Sequence, residues 1–138
     1  MLSFVDLETY LKGWLTEVGY DPLPYFDPGP GTDLNAIDAS PGRLVLLTIG
    51  SGAGFTTEQV FDRPMVQVRT AGLQSDYSDA EKLSQDCDRA MTAVAQSQFL
   101  NGKWCLSINR LSGSPLLLLK DDADRYHFTC SYIVEIQY

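Results

Sequence analysis

Nothing in the 138-residue sequence is long and apolar enough to span a bilayer. The two longest apolar runs, residues 44–49 and 115–119, are strand-sized, against the roughly 20 residues a membrane helix needs. Clustered positive charge is missing too. Eighteen acids against ten bases give a net charge of -8, and within residues 1–42 the lone base Lys12 faces Asp6, Glu8, Glu17, Asp21, Asp27, Asp33 and Asp38. Without a run of Lys and Arg to release counterions from phosphates, tight duplex binding is not expected, although passage close to DNA stays open. Cysteine is scarce: Cys87, Cys105 and Cys130 show neither disulfide nor metal-ligand spacing. Their odd number points to a reduced intracellular setting, and the N-terminal residues lack a basic stretch followed by an apolar one, so no signal peptide is expected. What remains, 44% hydrophobic and 20% charged residues, is the balance of one globular domain over residues 1–138.

Periodicity divides that domain. Phe4, Leu7, Leu11, Trp14, Leu15 and Val18 recur at helical spacing between Ser3, which has Asp6 three residues on, and Gly19. This predicts an amphipathic helix over 4–18. Residues 20–42 hold five prolines and no period, and are expected to form an irregular connection, with Tyr25 and Phe26 tacking it to the surface. The run from Leu44 to Ile49 reads as a strand covered on both faces. Glycines at 50, 52 and 54 open a mobile stretch to Asp62, and 64–70 alternate as a second strand. Ser78-Asp79-Ala80-Glu81 has the form of a capping box ahead of a helix over 78–98. That helix should turn Leu83, Cys87, Ala90, Met91 and Val94 inward and Asp86, Asp88, Arg89 and Gln96 outward. Three strands follow. Trp104, Leu106 and Ile108 alternate with Cys105, Ser107 and Asn109; 116–119 are apolar; and from Tyr126 to Tyr138 a strict period of two gives a half-buried antiparallel strand. The expected fold is α+β, in the order α-β-β-α-β-β-β, with two helices on an antiparallel sheet of about four to five strands.

Reactive constellations are thin. His127 falls on the polar face of the last strand and reads as solvated. Ser131 lies about 13 Å along that strand and Cys130 points the other way, while a cross-strand partner such as Cys105 stays open. Gly50-Ser51-Gly52-Ala53-Gly54 lacks the Gly-Lys-Ser/Thr of a phosphate loop and a long helix after it. Asp121, Asp122 and Asp124 lack the central glycine and late glutamate of a calcium loop and read as a hairpin turn. No catalytic residue, cofactor or metal is expected, and the chain does not read as an enzyme.

Three stretches carry a family resemblance: Phe61-Asp62-Arg63-Pro64-Met65-Val66-Gln67-Val68-Arg69-Thr70, then Tyr77-Ser78-Asp79-Ala80-Glu81, and Arg125-Tyr126-His127-Phe128-Thr129-Cys130-Ser131-Tyr132. With the order of elements, they make residues 43–138 resemble the tail terminator proteins of long-tailed bacteriophages. The resemblance implies a virion protein at the head-proximal end of the tail, assembled in the host cytoplasm, without enzymatic activity, cofactor or membrane. It implies a ring, usually hexameric, on the last ring of the major tail tube protein, a head-completion or neck protein on its other face, and DNA passing through the lumen. The net charge suits such a lumen, and equally suits plain solubility. A ring needs a head-to-tail interface. The candidates are the apolar loop residues Phe55 and Phe61, the bases Arg63 and Arg69, and the acids Asp76, Asp79 and Asp86, with the free protein expected to be monomeric. Two other readings remain: a head-closure or connector protein of the same joint, and an acidic cytoplasmic module, such as an immunity or inhibitor protein, that binds a basic partner.

Overall fold

The computed structural model describes residues 2–28, 42–50, 61–93, 97–98 and 104–137. Helix α1 spans Phe4–Glu17. Its first turn is closed by the box: the Asp6 amide donates to Ser3 Oγ at 3.2 Å and the Ser3 amide to Asp6 Oδ2 at 3.0 Å. At its far end Gly19, with φ +101°, lets its own amide reach Thr16 O and that of Tyr20 reach Leu15 O. That is the paired termination favoured by a left-handed residue. Leu7, Leu11 and Leu15 are buried along one stripe.

The connection after α1 holds a strand. Tyr25–Pro28 (β1) runs parallel to Leu44–Gly50 (β2), so the sheet is mixed and not wholly antiparallel. A parallel neighbour needs a crossover of a dozen or more residues, and the fifteen residues 29–43 between the two strands supply that length. Phe26 is buried while Tyr25 is exposed, because successive side chains on a strand point oppositely. β2 pairs antiparallel with Met65–Ala71 (β4), and its first four residues are all buried, as a strand covered on both faces should be. Phe61–Asp62 (β3) had been expected in the mobile stretch; instead it pairs with Gln137 and Ile136. Residues 51–60, with Phe55, lie outside the described residues.

Helix α2 spans Tyr77–Ala93, and Ser97 and Gln98, which the sequence places in the helix, are not part of it. Ser97–Gln98 (β5) pairs instead with Cys105 and Trp104 of Trp104–Arg110 (β6), because tertiary pairing overrides weak helix preference. Val94 and Gln96 lie outside the described residues. Ser78 does not cap α2: it is exposed within the helix, and the Asp79 amide donates to Asp76 Oδ1 at 3.0 Å, which makes Asp76 the cap. Leu83, Cys87, Ala90 and Met91 are buried. A Cβ on Gly72 would stand 2.4 Å from the Ala80 amide nitrogen, so only glycine lets β4 leave the sheet against the first turns of α2.

The last strand, Tyr126–Gln137 (β8), is the spine of a sheet that among the described residues has eight strands, six on the path β1-β2-β4-β8-β6-β5 and β3 and β7 paired to β8 off it. One edge of β8 takes β4 and β3; the other takes β6 and Leu116–Lys120 (β7) end to end. The alternation in β6 is corrected by a register shift between Cys105 and Ser107. It turns Trp104 out and Cys105 and Ile108 toward the core, as a bulge does. Both helices pack on the sheet face bearing Val45, Val66, Val68, Tyr132, Val134 and Ile136. The class is α+β. Among the described residues no helix is long and apolar enough to cross a membrane.

Candidate functional site

The sheet face turned away from the helices holds the most polar buried cluster. Asp121, first in the turn between β7 and β8, folds back: its Oδ1 accepts from the amides of Ala123 and Arg125, each at 2.9 Å, an Asx-type turn. Its Oδ2 accepts from Arg125 Nε at 2.9 Å and lies 2.7 Å from His127 Nε2. Arg69, on the neighbouring strand, donates Nε–H to His127 Nδ1 at 3.2 Å. Since Nδ1 accepts, Nε2 carries the proton and donates to Asp121, which defines a neutral imidazole. His127 is fully buried, contrary to its reading as a solvated strand residue, because Ala71 lies opposite it on β4 and Asp121 covers it from the turn.

The electrostatics agree with that tautomer. Burial holds the His127 pKa below its ordinary value, with the Arg69 and Arg125 charges adding to the effect and Asp121 opposing it. Burial works to raise the Asp121 carboxyl, but the bonds from His127 and Arg125 outweigh it and keep the group below the usual range. Burial lowers the Arg69 guanidinium. With both imidazole nitrogens engaged, His127 has none free to take a proton from a nucleophile, so the cluster is built as a strut. All three cysteines are buried free thiols, and burial pushes Cys105 up to about 11, far from a reactive thiolate. Among the described residues no group of three or more His, Cys, Asp or Glu is arranged to hold a metal ion.

Of the candidate interface residues, several are committed within the chain. Asp86 is buried and not outward-facing: it accepts from Tyr20 Oη at 2.7 Å and pairs with Lys82 and Arg89. Asp88, also expected outside, is half-buried and accepts from Tyr132 Oη at 2.6 Å. Asp79 accepts from Arg43 through both Nε and Nη2, the latter at 2.7 Å, and from the Leu73 amide. Burial would raise the Asp79 carboxyl, yet those bonds keep it lowered. Arg69 is half-buried in the histidine cluster, so reversing its charge would damage the fold, and a clean interface effect is not expected there. Asp76 is exposed. So is Arg63, paired at 3.0 Å with Glu135.

The arrangement therefore offers buried struts and surfaces for contact, and the comparison with known families agrees. The model of a bacteriophage tail terminator protein family matches residues 26–138, from inside β1 to the C-terminal residue. The chain belongs to the bacteriophage tail terminator family. As a member it is a structural component of the virion and acts through contacts with other tail and neck proteins. The match takes in every part of the histidine cluster and the pairs Asp79–Arg43 and Asp88–Tyr132, and leaves out Tyr20, the partner of Asp86. No curated protein matches the chain.

Proposed function

We propose that this chain ends tail-tube growth by forming a ring, a hexamer in the usual arrangement, on the last ring of the major tail tube protein. The other face of the ring meets a head-completion protein, and DNA passes through the lumen without specific binding. The family match over residues 26–138 carries this reading. The balance of charge supports it, since a chain at -8 repels the DNA backbone and releases no counterions from it. Arg63, Asp76 and the apolar residues Phe55 and Phe61 are proposed contacts with the tube or a neighbouring subunit. Arg63 stands near the Gln137 end of β8, where β3 pairs. Its pair with Glu135 is exposed and so contributes little to stability, which leaves it free to exchange partners.

The test is a phage deprived of this protein. The expected particles are heads without tails and tubes of uncontrolled length, and purified protein added to growing tubes should restore uniform, head-competent tails. Normal tails without the protein would refute the reading.

A further inference from the structure

Strand β7 is at odds with its neighbours. All five of its residues are exposed, and Leu116, Leu117, Leu118 and Leu119 keep 40–54% of their surface open. One edge pairs with β8; among the described residues nothing pairs with the other. An edge strand with four consecutive leucines is a template for another strand. The patch is on the order of a few hundred Å², a size that marks contact sites on soluble proteins.

The same sheet has a second open edge. β1 is its first strand, pairs only with β2 among the described residues, and leaves Tyr25 64% exposed. The pairing register puts the two edges in the same rows. Tyr25 lies beside Leu44, then Ala71, His127 and Leu119; one row on, Phe26 lies beside Val45, Thr70, Phe128 and Leu117. Direction matches as well: β1 and β2 run with β8, whereas β7 runs against it. When a second copy is set beside the first with its strands pointing the same way, its β1 meets β7 antiparallel, the more stable pairing.

We propose that the open edge of β7 is covered by β1 of a second copy of this chain, so that the sheets of successive subunits run on around a ring. This rests on the ring reading above and specifies its subunit contact. The two edges stand at one level, so β1 of one copy can pair along β7 of the next, and because the two edges differ the contact is head-to-tail, the kind that makes a ring when the rotation between copies closes. One such contact is well below the roughly 800 Å² per partner of a standard interface. Free copies therefore stay separate, and the array forms when copies are concentrated or held side by side on a tube.

The test joins the edges covalently. Tyr25→Cys and Leu119→Cys are introduced together and singly, both at exposed positions. Each protein is added to tubes lacking a terminator and treated with a short bifunctional thiol reagent. Sedimentation of the unaltered protein on the same tubes serves as the reference. The double variant should give a ladder of linked copies ending at the closed ring, and each single variant should give monomers. A ring in the unaltered protein with no ladder from the double variant would overturn the edge contact and leave the ring reading standing. Dimers from Leu119→Cys alone would also overturn it, since they would mean that β7 meets β7. No ring in the unaltered protein would overturn both. As a second measurement, Leu117→Glu with Leu119→Glu should raise the concentration for half-assembly at least about tenfold with an unchanged thermal melt. An unchanged assembly concentration would count against β7.

Discussion

His127 is held by Arg69 on one nitrogen and Asp121 on the other, and this gives the protein a defined acid sensitivity. The folded pKa of His127 lies below its unfolded value of about 6.5. Below that pH the unfolded chain binds a proton that the folded chain resists, so stability falls as pH drops from about 6.5 toward the folded pKa. Asp79, Asp121 and Asp124 are shifted down as well. Their contribution is full above about pH 4 and is lost as pH falls further, through their folded values. Denaturant melts of the native protein should therefore lose stability in two stages. His127→Gln should be less stable at pH 7.5 yet flat between about pH 6.5 and 5; a slope equal to that of the native protein would mean His127 is not buried as described. Alternation along β8 hid this residue, because period two reports which face a side chain takes and not what later covers that face. Asp86 carried a better signal. It is three residues after Leu83 and four before Ala90, on the buried stripe itself, and only its charge argued for an outward position.

At the scale of elements, both helices and the five longer strands were legible, the helices, β4, β6 and β8 from their periods and β2 and β7 from unbroken apolar runs. The short strands β1, β3 and β5 were not: at two to four residues they have too few side chains to show a period, and distant partners create them. The start of α2 was misread for a related reason. Ser78-Asp79-Ala80-Glu81 and Asp76-Tyr77-Ser78-Asp79 both offer a cap with an acid three residues on, and sequence does not rank them. The Asp76 carboxylate accepts the bond. Asp76→Ala should cost about 1 kcal/mol in urea melts, whereas Ser78→Ala, on an exposed helical position, should be neutral or gain a few tenths. The reverse order would move the helix start. The junction between β4 and α2 is more sensitive. With the Ala80 backbone 2.4 Å from any added Cβ, Gly72→Ala should destabilise by about 1–3 kcal/mol or more, while Gly113→Ala, where a Cβ meets nothing within 4 Å, should change little. Equal midpoints for the two variants would contradict the packing described.

As a whole molecule, the chain places its struts inside and, among the described residues, leaves the edges at β1 and β7 open at the margins of the sheet. Three carboxylates expected near the surface of α2 (Asp79, Asp86 and Asp88) tie that helix to Arg43, Tyr20 and Tyr132. The strand richest in leucine stays open at an edge. The family was legible from stretches in β4, α2 and β8, which form the centre of the sheet and the helix packed on it. The candidate contact residues were less legible, because opposite charge alone does not distinguish a partner within the chain, such as that of Asp79 or Asp86, from one outside it. The central claim is that this chain caps the tail tube. Electron cryomicroscopy of the complete virion tests it most directly. The account predicts one ring of this chain between the last tube ring and the neck, with the sheet edges of adjacent copies in contact. This chain found at the distal tip, distributed along the tube, or absent from the particle would contradict it.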